Sequence, residues 1–85
     1  MERDICVVVE EILDVVDLYF SADIPRIKYF KTNLIEVKKT AKSTAPEAMY
    51  LRWAELDKSI HWFLGIIGPE PNVDKIRSAY LRKWE

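Results

Sequence analysis

Apolar residues recur along this chain at intervals of three and four in four successive stretches, and no stretch alternates apolar with polar for long enough to read as a strand. In the first, Ile5, Val8, Val9, Ile12, Val16 and Tyr19 fall on one side, with Glu10, Glu11, Asp14 and Asp17 opposite, the pattern of an amphipathic helix. Valine is a stiff, branched residue that favours strands, yet a strand would scatter these four acids over both of its faces. In the second stretch, Ile27, Phe30, Leu34, Val37 and Ala41 form a seam like that of a helical bundle. In the third, Met49, Trp53, Leu56, Ile60, Phe63 and Ile67 supply the core stripe. A short fourth helix presents Val73, Ile76, Tyr80 and Trp84 along one side, with Leu81 adjoining.

The boundaries carry their own signals. Ser21-Ala22-Asp23-Ile24-Pro25 predicts the end of one helix and the start of the next, with Asp23 as the amino-terminal cap and Pro25 in the first turn. Thr44-Ala45-Pro46-Glu47 reads as a capping box, Thr44 capping and Glu47 reaching back. Gly68-Pro69-Glu70-Pro71 forces a turn, and Asn72 is the expected cap of the last helix. The pattern therefore predicts an all-α fold, a small four-helix bundle of three long helices plus a short C-terminal helix. Eighty-five residues suffice for one core, so residues 1 to 85 are expected to form a single domain.

Composition adds limits. A 49% hydrophobic share beside 32% charged residues is that of a folded chain, and the single Cys6 rules out an internal disulfide. No secretory signal is visible, and Phe63-Leu64-Gly65-Ile66-Ile67 is far shorter than the roughly 20 residues of a membrane span, so a cytoplasmic protein without membrane contact is expected. Glutamine is absent and asparagine occurs only at Asn33 and Asn72, a bias found in proteins from heat-loving organisms, including archaea.

The chemistry of catalysis is thinly represented. His61 has only Asp57, one turn earlier, to orient it, and Cys6 lies in a valine-rich helix where a thiol normally packs. Acids strung along one helix do not converge on a cation, and the two glycines form no phosphate-cradling loop. The expectation is a protein that is not an enzyme, with no cofactor, no metal and no small-molecule substrate.

Charge and surplus apolar surface point instead to partners. Residues 1 to 25 hold seven acids against Arg3, and residues 26 to 42 hold six bases against Glu36. The acidic and basic helices can pair along their flanks. Alternatively, Lys28, Lys31, Lys38, Lys39 and Lys42, which surround Ile35 away from the core seam, can contact nucleic acid or an acidic partner. Behind the core stripe of the third helix lies a second apolar set, Leu51, Trp62 and Ile66, either covered by another helix or free to dock. The last helix offers Ile76, Tyr80 and Trp84, which either complete the chain's own core or lie in a partner's groove. These residues define the expected protein interface. The sequence thus predicts an interaction or accessory subunit that docks on a larger protein or forms a homo-oligomer. The alternative is a nucleic-acid-associated accessory factor, such as a minor subunit of a replication, repair or transcription complex like a DNA polymerase holoenzyme.

Overall fold

In the computed structural model, which describes residues 3–85, four α-helices follow one another: α1 (Ile5–Tyr19), α2 (Pro25–Ala41), α3 (Met49–Ile67) and α4 (Val73–Leu81). Single turns of 3-10 helix precede α3 (Pro46–Ala48) and follow α4 (Arg82–Trp84). The fold is a small all-α bundle, and its helices run up-down-up-down. Asp17 and Glu10 of α1 meet Lys31 and Lys38 of α2, so the numbering falls on one helix as it rises on the other. Tyr29 of α2 likewise meets Trp62 of α3, and Asp57 of α3 meets Tyr80 of α4. Asn72 reaches the Tyr19 carbonyl at one end of α1, while the backbone N–H of Arg3 donates to the Lys83 carbonyl at the other.

The core is built mainly from the predicted stripes. Ile5, Val8, Val9, Ile12 and Val16 of α1 and all five seam residues of α2 are buried, as are Leu56, Ile60 and Phe63 of α3. Phe63 stacks on Phe30 with ring centroids 4.1 Å apart and planes 6° from parallel, and Phe20 meets Phe63 edge-on at 5.6 Å. Met49, Trp53 and Ile67 border this core as half-buried residues. Tyr19 leaves the stripe: it ends α1 on the surface beneath the Lys75 ammonium, 4.6 Å from its ring, and Phe20 turns inward in its place.

The helix starts differ from those read in the sequence. Ile24 and Ala45, not Asp23 and Thr44, occupy the cap positions, and neither makes a side-chain capping bond. Both precede a proline, whose ring drives the preceding residue into the extended region that a cap requires, here ψ 124° at Ile24 and ψ 148° at Ala45. Asp23 and Thr44 are therefore displaced one position outward. Thr44 uses its hydroxyl to donate to the Thr40 carbonyl at 2.8 Å, and the expected box with Glu47 does not form. Asn72 does occupy the cap of α4 but makes no side-chain capping bond. A side-chain cap exists at α1, where the Asp4 carboxylate accepts from the Cys6 N–H at 2.8 Å. Gly68, at φ 72°, ends α3 in a region that L side chains rarely adopt.

One ion cluster ties the two ends of the chain together. The Arg3 guanidinium donates to both oxygens of Glu11 at 2.9 Å, and Arg82 lies 3.7 Å from the same carboxylate. The hydrogen bonds from Arg3 hold the Glu11 carboxyl below its ordinary pKa, and Glu11 in turn raises that of Arg3.

Candidate functional site

The sequence singled out two faces and the last helix, and the bundle treats the three differently. On α4, Ile76 and Tyr80 are buried within the chain's own core, so the helix docks in cis and these two residues do not form an outward interface. The Tyr80 hydroxyl donates to Asp57 at 2.6 Å and accepts from the Lys83 ammonium at 2.8 Å, while Asp57 also lies 3.1 Å from the His61 Nδ1. His61 therefore has the partner expected for it, on an open surface. Because α4 stops at Leu81 and the chain tightens into a 3-10 turn, Trp84 leaves the face shared by Ile76 and Tyr80 and is 60% exposed. Its ring lies 5.2 Å from the Lys83 ammonium, which also stands 4.1 Å from the Tyr80 ring and 5.7 Å from that of Trp53.

On α2 the five lysines divide. Lys31 and Lys38 point toward α1 and pair with Asp17 and Glu10 at 2.6 Å, and the bond to Glu10 raises the Lys38 pKa. Lys28, Lys39 and Lys42 are exposed and make no ion pair among the described residues, and Ile35 sits exposed among them. The opposition of an acidic helix to a basic one is thus partly internal pairing, and three of the five lysines remain on the surface without a paired acid among the described residues.

On α3 the second apolar set lies outside. Leu51 is 44% exposed and Trp62 37%, and Ile66 is half-buried beside them. No helix covers this side because α2 and α4 flank the core stripe and the fourth helix closes the bundle on α1. Tyr29 of α2 was not among the sequence candidates. It packs edge-on against Trp62 at 5.0 Å and extends the face, although it is itself exposed. Its signal was its place one residue before Phe30, turned off the seam toward the side on which an antiparallel third helix packs. Between α2 and α3 runs an open groove of about 460 Å³, lined among others by Tyr29, Glu36, Val37, Glu55, Lys58 and Trp62. Its walls are apolar at the Tyr29–Trp62 end and charged along the middle.

Elsewhere the chemistry is spare. The Cys6 thiol is half-buried, donates weakly to the Lys38 carbonyl at 3.8 Å, and burial pushes its pKa up, away from the reactive thiolate. Among the described residues no three His, Cys, Asp or Glu side chains converge as a metal site, and no helix is long and apolar enough to cross a membrane. The fold and the α3 face define a small helical bundle with uncovered apolar surface. No family model matches the sequence, and neither a curated protein nor a solved structure matches it.

Proposed function

We propose that this protein is a non-enzymatic interaction module, an accessory subunit that works by docking its α3 face on a protein surface. One observation carries the reading: Leu51 and Trp62, backed by Tyr29 and Ile66, stand outside a core that is already closed by four helices. Indole and phenol rings held rigidly at a surface lose little freedom on binding, which is why such side chains dominate interface energetics. Trp84 and Leu81, exposed near the end of α4, offer a smaller accessory contact.

The test compares the native chain with the Leu51→Ser/Trp62→Ser variant in cross-linking experiments in cells of the source organism. The native chain is expected to give discrete adducts, with a larger protein or with itself, that the variant loses while keeping its helical circular dichroism. Adducts that persist in the variant, or none from the native chain, would overturn the reading.

A second reading is that of a nucleic-acid-associated accessory factor. It rests on Lys28, Lys39 and Lys42, which make no ion pair among the described residues. The commitment of Lys31 and Lys38 to α1 leaves about three phosphate contacts, for which affinity falls with salt at a logarithmic slope of about −3. Titration of duplex and single-stranded DNA at two salt concentrations measures that slope, and absence of binding at low salt removes the reading.

A further inference from the structure

The outer strip of α3 has an internal symmetry that points to one occupant. Leu51, Glu55, Lys58 and Trp62 follow one another at spacings of four, three and four, which places them within an arc of about 60° on the helix surface. Read forward, the strip runs apolar, acid, base, apolar; read backward, it runs apolar, base, acid, apolar. A second α3 laid antiparallel across it, with the two-fold axis midway between residues 56 and 57, brings Leu51 of each copy to Trp62 of the other. The same operation brings each Glu55 to the other copy's Lys58. Such self-complementarity under a two-fold rotation is what an isologous interface requires.

The surroundings fit this arrangement. Lys58 is exposed and makes no ion pair among the described residues, and Glu55, held by Arg52 at 2.8 Å, still leaves its side chain half exposed. Glu36 of α2 lines the same groove as Glu55, so an incoming Lys58 meets two carboxylates. At the end of the strip the Tyr29–Trp62 pair forms the apolar seat for Leu51.

We infer that the occupant of the α3 face is a second copy of this chain, bound through an antiparallel α3–α3 contact; this rests on the docking role proposed above. The contact is one helix wide, so the dimer is reversible rather than obligate. Each charge reversal counts twice in a symmetric interface, replacing two attractions by two repulsions.

Sedimentation equilibrium of the purified full chain, from micromolar to millimolar concentration, reads the result. The mass is expected to rise from 10.0 kDa toward twice that value. Lys58→Glu and Glu55→Lys are each expected to weaken the dimer by about tenfold or more, and the double variant Glu55→Lys/Lys58→Glu to recover part of that loss, because the Glu55–Lys58 pairing is restored with its sign exchanged while Glu36 and Arg52 keep theirs. Lys58→Glu disturbs no ion pair among the described residues, so an unchanged melting curve at low concentration certifies its fold. A chain that stays single at millimolar concentration, or a dimer indifferent to these reversals, overturns the inference. If the single chain nonetheless loses its cellular adducts on Leu51→Ser/Trp62→Ser, the docking reading survives and the partner is a different protein.

Discussion

Replacing Phe63 with alanine is expected to cost about 3–5 kcal/mol, enough to bring a domain of this size close to unfolding at ambient temperature. Phe63 has no solvent exposure, stacks on Phe30 and receives the edge of Phe20, so its removal leaves a cavity between α2, α3 and the turn that follows α1. The neighbours cannot close that cavity without tilting α2 against α3, because both rings are fixed by the helices that carry them. A melting temperature lower by about 15–30 °C in calorimetry or circular dichroism is the expected result. A drop of less than about 5 °C would mean that the aromatic stack does not hold the bundle together.

The second large effect is at α4. Ile76→Ala is expected to cost about 2–5 kcal/mol, since Ile76 is fully buried and α4 is too short to hold itself helical without packing. Trp84→Ala, at a ring that is mostly exposed, is expected to stay within about 1 kcal/mol of the native chain. Urea unfolding of the two variants separates the possibilities. Equal losses, or a larger one at Trp84, would place the anchor of the C-terminal segment in the final turn instead of in the core.

The contrast between these residues marks where sequence reading succeeds. Spacings of three and four identified every helix, because burying one stripe per helix is the main way so short a chain offsets its lost conformational freedom. The same reading grouped Ile76, Tyr80 and Trp84 on one face by assuming uninterrupted 3.6-residue periodicity. The 3-10 turn at Arg82–Trp84 breaks that assumption and sends Trp84 outward. The caps failed for a related reason: Asp23 and Thr44 are good cappers, but the prolines at positions 25 and 46 decide which residue takes the cap conformation. Asp4, whose cap was not predicted, lay just before an apolar run with no proline to mark it.

For the candidate site, the sequence disclosed a surplus of apolar positions on the third helix but not their completion by Tyr29. Which helix lies beside Trp62 is a question of packing, settled only when α2 and α3 are laid antiparallel. The lysines of α2 show the same limit. Their opposition to the acids of α1 is plain in the sequence, while the split into two paired and three unpaired cations depends on which residues the hairpin register brings together. The ion cluster of Arg3, Glu11 and Arg82 spans almost the whole chain and has no local signature at all.

The central claim is that Trp62 belongs to surface the bundle leaves over. The most direct test is fluorescence of a chain in which Trp62 is the sole indole, with Trp53 and Trp84 replaced by phenylalanine. In dilute solution, where light scattering finds single copies, its emission is expected to be open to quenching by iodide, shifting to the blue and becoming shielded as concentration or partner brings the α3 face under cover. Short-wavelength emission shielded from iodide in the dilute single chain would contradict the account, because Trp62 would then be part of the chain's own interior.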